Sequence, residues 1–131
     1  MRHFRVAQAA AFLGVSDDTL RRWIGAGRLS STVDASGRTV VEGAELAALV
    51  RESAASPEDP AAHPSSARNR FVGLVTRVTV DGVMAQVDIQ AGPHRVVSLL
   101  SAEAVEELGL APGELATATV KATHVVVETP R

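Results

Sequence analysis

Two spacings of apolar residues divide this chain. In its first part they recur at helical intervals; in its second part they alternate. Val6 to Leu13 carries helical spacing and stops at Gly14, a natural helix end. Ser16 is placed as an N-cap, with Asp17 and Asp18 in the first turn behind it. The second helix then runs to Gly25–Gly27. Leu20, Trp23 and Ile24 fall on one face and are expected in the core, which leaves Asp18, Arg21, Arg22 and Gly25 outward. Asp34-Ala35-Ser36-Gly37 lies between two β-prone stretches and predicts a hairpin, with Arg38 just past its tip. Glu42 to Glu52 predicts a closing helix.

Beyond residue 65 the alternation runs through Val72, Leu74, Val78 and Val80, then Val83, Ala85, Val87 and Ile89. It predicts five strands: Phe71–Val80, Met84–Ile89, Arg95–Leu100, Leu115–Lys121 and His124–Glu128. Asp81-Gly82 and Ala91-Gly92-Pro93 supply turns, and Ser101 caps a short acidic helix before Gly109. Five strands and one short helix fit a small all-β barrel of the OB type. Between the halves, AASPEDPAAHPSS has three prolines and no apolar periodicity, and reads as a linker. The expected organisation is a mainly α winged helix-turn-helix domain over 1–53, a Pro/Ala linker over 54–65, and the barrel over 66–131.

Composition narrows the function. There is no cysteine, so a disulfide framework, a Cys-zinc site and a thiol nucleophile are all excluded. His63, His94 and His124 are scattered, and no paired carboxylates or Ser/His/Asp grouping appears, so an enzyme is not expected. No apolar run would span a bilayer and no signal-peptide pattern opens the chain, so a cytoplasmic protein without a membrane partner is expected. The net charge of −2 gives no bulk attraction for nucleic acid. Any DNA contact has to come from local placement of arginine.

That placement occurs on the second helix. VAQAAAFLGVSDDTLRRWIGAGRL and the following SGRTVV resemble the DNA-binding domain of MerR-type and excisionase-like regulators. The resemblance implies a recognition helix in the major groove of double-stranded DNA and a wing on the backbone. The residues expected at that surface are Ser16, Thr19, Arg21, Arg22, Arg28 and Arg38.

The second half carries three segments of hydroxyls and fixed cations beside strands: Ser66-Ala67-Arg68-Asn69, Val97-Ser98 within VVSLLS, and Lys121-Ala122-Thr123. They hold no carboxylate. Arg68 and Lys121 supply charge, Ser66, Ser98 and Thr123 supply O–H donors, and backbone N–H groups near Ala67, Ala122 and Thr123 add to them, which suits a tetrahedral oxyanion. In this order the segments resemble the molbindin (Mop, or TOBE) domain over roughly Ser65 to Thr129. The resemblance implies molybdate or tungstate as ligand, with no free metal cation, bound between subunits. It therefore implies a homodimer or a larger assembly, up to a hexamer. Both resemblances together imply a molybdate-responsive transcriptional regulator of molybdate uptake or molybdenum-cofactor genes. A molbindin-like storage protein is the alternative.

Overall fold

The computed structural model describes residues 2–130. The chain forms two compact units that divide between Ala55 and Ser56.

In the first unit, β1 (His3–Arg5), α1 (Val6–Leu13), α2 (Asp17–Gly25), β2 (Thr32–Val33), β3 (Thr39–Glu42) and α3 (Gly43–Ser53) follow in order. Local chemistry sets the breaks. Gly14 takes a left-handed φ of 68°, which a side chain would resist, and its N–H closes α1 onto Ala10 and Ala11. The Ser16 hydroxyl accepts from the Thr19 N–H at 3.1 Å and starts α2. Asp34 accepts from the N–H groups of Ser36 and Arg38 at 2.8 and 2.9 Å and folds the wing tip. These donors, Arg38 first, hold its carboxyl below the ordinary aspartate range. The three strands form an antiparallel sheet in the order β1-β3-β2. Val6, Ala9, Ala10, Leu20, Leu29, Val41, Leu46 and Leu49 make the core.

Two expectations change here. β1 was not foreseen from the sequence: three residues carry too little pattern, and the strand exists because β3 is there to pair with it. Trp23 is only partly buried at the rim of the core, and the Arg28 guanidinium lies 4.1 Å from its ring centroid.

The second unit contains β4 (Asn69–Asp81), β5 (Met84–Ala91), β6 (His94–Ser101), α4 (Ala102–Leu108) and β7 (Leu115–Val120). Its antiparallel sheet runs β6-β5-β4-β7. The 13-residue β4 serves two partners: residues 69–74 pair with β7, and residues 74–81 pair with β5. Gly73 sits at the changeover. A Cβ there would stand 2.3 Å from the Gln90 carbonyl oxygen, so only glycine permits the approach. A register shift between Val75 and Arg77 adds the bend. Val75, Ala85, Val87, Ile89 and Val105 fill the inner face.

The expected fifth strand is not formed. Ala122–His124 makes one 3-10 turn, and the residues after it up to Pro130 have no strand assignment. Val126 and Val127 are 85% and 82% exposed. The curled sheet has four strands and stays unpaired between β6 and β7, so it is not the closed five-stranded barrel the alternation suggested. The Pro/Ala stretch also differs from a plain linker over 54–65. Asp59 accepts from Arg70 Nε and from the Thr117 hydroxyl, both at 2.7 Å, and Arg70 Nη2 donates to the Ala61 carbonyl at 2.9 Å. Asp59 to Ala61 is thus a strap on the second unit.

Candidate functional sites

The β4–β7 ladder brings two of the three donor segments together. Asn69 is in register with Val120, and its side-chain amide donates to the Val120 carbonyl at 2.9 Å. Ser66-Ala67-Arg68-Asn69 therefore ends beside the start of Lys121-Ala122-Thr123. Arg68 and Lys121 are both outside the core, and neither makes an ion pair within 4 Å among the described residues. The 3-10 turn begins at Ala122, and a helix start leaves its first N–H groups without intrahelical acceptors. The Ala67 N–H is not free in the same way: the Ser65 hydroxyl accepts from it at 3.1 Å. Ser66 and Thr123 are exposed hydroxyls.

The third segment lies on the other free edge. Val97 and Ser98 belong to β6, and with Val120 they line a cleft of about 550 Å³ between the edges of β6 and β7. Val87, Ile89, Leu100 and Leu115 make its wall apolar, and no Arg or Lys lines it. A desolvated dianion needs charge and donors on every side. One copy of this unit presents the cations at an exposed rim and encloses nothing.

On α2 the basic residues diverge. Arg22 Nη2 donates to the Thr19 hydroxyl at 3.1 Å, and Ser16 Oγ also donates to Thr19 Oγ1 at 3.0 Å. Ser16, Thr19 and Arg22 thus share one side of the helix. Arg21 instead lines a cleft with Arg5 and Arg38, and Arg28 stacks on Trp23. The adjacent outward pair expected from the sequence therefore points to two different places. Nothing in the sequence places Arg5 beside Arg21 and Arg38, because an arginine before the first helix carries no motif of its own.

Residues 65–127 match the TOBE domain. Over 63 residues the chain is 40% identical to molybdenum-pterin-binding protein 2 of Clostridium pasteurianum, covering 47% of this chain and 93% of that protein. The chain belongs to the TOBE-domain family. Molybdenum-pterin-binding protein 3 of the same organism is 38% identical over the same share of each chain. Among solved structures, a molybdate binding protein from Sporomusa ovata is 30% identical, with a TM-score of 0.49 over 51% of this chain and all of that one. MopII from Clostridium pasteurianum is 37% identical, with a TM-score of 0.47 over 50% of this chain and all of its own. Residues 4–54 match a helix-turn-helix domain. The chain thus joins a helix-turn-helix unit to a TOBE unit.

Within the TOBE unit the sequence did not reveal the Asp59–Arg70–Thr117 cluster. Its members are 11 and 58 positions from Asp59, and an Asp in a proline-rich stretch looks like solvated loop. Arg70 first, then Thr117 and the Ala61 N–H, hold the Asp59 carboxyl well below its ordinary range. A second paired carboxylate lies on β5. Asp88 is 7% exposed and bonds Gln86 and Arg95, which lower its pKa, Gln86 foremost. Neither carboxylate belongs to the three donor segments. No helix among the described residues is long and apolar enough to cross a membrane, and no cluster of His, Asp or Glu there would hold a metal ion.

Proposed function

We propose that this chain is a cytoplasmic, molybdate- or tungstate-responsive regulator that binds double-stranded DNA and controls genes for molybdate uptake or molybdenum cofactor. One observation carries the reading: a helix-turn-helix unit and a TOBE unit share one chain, and the β4–β7 ladder of the TOBE unit ends beside Arg68 and Lys121, neither of which makes an ion pair within 4 Å among the described residues. The names of its relatives, which speak of molybdenum-pterin and molybdate, support that ligand class. The head is read as MerR-like from its recognition helix and wing.

The rim is open in a single copy, which supports a site shared between subunits. A second copy would bring further donors over Arg68 and Lys121, so the working form is a homodimer or larger, up to a hexamer. The site residues are Ser66, Ala67, Arg68, Asn69, Val97, Ser98, Lys121, Ala122 and Thr123. Ala67 contributes there only if its N–H leaves Ser65. Oxygens of a fully ionised oxyanion only accept hydrogen bonds, so a donor-only shell disfavours a protonated phosphate.

Calorimetric titration of the full chain with molybdate, tungstate, sulfate and phosphate tests the ligand. Binding to the chain's own upstream DNA with and without molybdate tests the regulator. Molybdate binding without any DNA affinity would favour the storage reading. That alternative has its own support, because the relatives consist almost wholly of the stretch they share with this chain.

A further inference from the structure

The first unit holds a basic cleft that a recognition helix does not by itself require. It has a volume of about 350 Å³ and is lined by Arg5, Val6, Ala7, Asp17, Arg21, Arg38 and Thr39. The three arginines come from three elements. Arg5 ends β1 and is in register with Val40 of β3, Arg21 is on α2, and Arg38 enters β3 from the wing. All three are exposed, and none makes an ion pair within 4 Å among the described residues. Val6 and Ala7 are the first residues of α1, whose first turn carries no acidic side chain. Their N–H groups have no acceptor within the helix, and the positive end of its dipole lies there. One carboxylate, Asp17, lines the cleft, and a second, Asp34, feels the charge of Arg38 and Arg5. Asp17 begins α2 and sits on that helix's own amino end. Asp34 is occupied by the N–H groups of Ser36 and Arg38. Three guanidiniums and one helix end therefore outweigh them.

Resting on the reading of the head as a DNA-binding unit, we propose that this cleft seats one backbone phosphate of the duplex, gripped by Arg5, Arg21 and Arg38 over the amino end of α1. A phosphodiester is a monoanion with two free acceptor oxygens, and guanidinium forks match them in pairs. Val6 closes the floor of the cleft against the core, and the three arginines stand exposed around it, where a polymer strand has access. Arg21 thereby becomes a register-setting residue rather than a reader of bases. Arg22, held toward Thr19 on the neighbouring side of α2, is left to face the base edges.

The test uses the full chain and two duplexes of equal length: one selected by the wild type from a random pool, one unrelated. Affinities are measured by fluorescence anisotropy over a salt series. Arg5→Ala should weaken both duplexes by the same factor, on the order of tenfold. It should also reduce the slope of log K against log salt by about one. Arg5→Lys should keep the slope, and Arg22→Ala should change the ratio between the two duplexes. Wild-type affinity and slope in Arg5→Ala, or an altered ratio, would overturn the proposal while leaving the DNA-binding reading intact. If the wild type binds neither duplex, both fall together. If Arg5→Ala melts early, Arg38→Ala takes its place, with the same expected losses and the same overturning results. A third arm titrates inorganic phosphate at constant ionic strength and follows the amide resonances of Val6 and Ala7. Shifts that vanish in Arg5→Ala, with DNA binding unaffected, would assign the cleft to a free anion and overturn the duplex phosphate.

Discussion

Arg68 and Lys121 illustrate what a single side chain contributes to this protein. Both stand at strand ends outside the core, where they cost little to hold and support no packing. Their removal should therefore change binding and leave folding alone. Arg68→Ala and Lys121→Ala are each expected to weaken molybdate binding by an amount on the order of 2–5 kcal/mol, as for truncating one member of a buried charge pair. Unchanged melting temperatures with lost calorimetric heats would confirm the roles; wild-type affinity in both variants would remove the site. Asp59 behaves oppositely. Its carboxyl is depressed below the ordinary value, so it contributes stability above the unfolded-state pKa of about 3.9 and loses it as pH falls toward the folded value. Asp59→Asn should melt below wild type at neutral pH, and the gap should narrow as the buffer is taken below about pH 4. The same variant should speed proteolytic cleavage of the 56–64 stretch, because the strap loses its anchor. A gap that does not change with pH would assign Asp59 a role other than its ion pair.

At the scale of elements, β4 decides the TOBE unit. It gives one half to β7 and the other to β5, and the switch works because Gly73 lets the Gln90 carbonyl come close. Gly73→Ala forces a backbone shift rather than a rotamer change. It should cost about 1–3 kcal/mol, the usual range for overpacking, read as a lower denaturant midpoint. A midpoint within error of wild type would mean that the two strands can separate without penalty. The wing, by contrast, is made locally: Asp34 and Gly37 shape its tip, and β2 contributes only two residues.

For the whole molecule, the proposed assembly rests on the open edge and the tail. β6 and β7 are unpaired with each other, the cleft between them is apolar, and Val125 to Val127 lie exposed. Unpaired edges and exposed β-branched residues invite pairing with another chain. Val126→Asp should shift the assembly toward smaller species in light scattering. Molybdate should shift the wild type toward larger ones, since a ligand held only by the assembled form stabilises it by mass action. A wild-type protein that stays monomeric while binding molybdate tightly would contradict the shared site.

Sequence alone determined what local chemistry determines. Gly14, Ser16 and Ser101 end or start helices because a left-handed φ and a capping oxygen act within a few residues. Alternation gave β4 to β6 and β7 within a few positions, and the order of the three donor segments carried the resemblance to the TOBE family that the comparisons bear out. What needed the tertiary structure was everything that depends on a partner far along the chain. The valine-rich tail over Val125 to Val127 has the composition of a strand, but a strand also needs an edge to bond, and no edge among the described residues takes it up. Arg21 and Arg22 are adjacent in sequence, yet only the positions of β1 and the wing show that they face different surroundings. Asp59 was invisible as an anchor because Arg70 and Thr117 reach it through folding alone. Helix caps and periodicity are short-range, whereas the pairing of edges and charges is set by the whole fold.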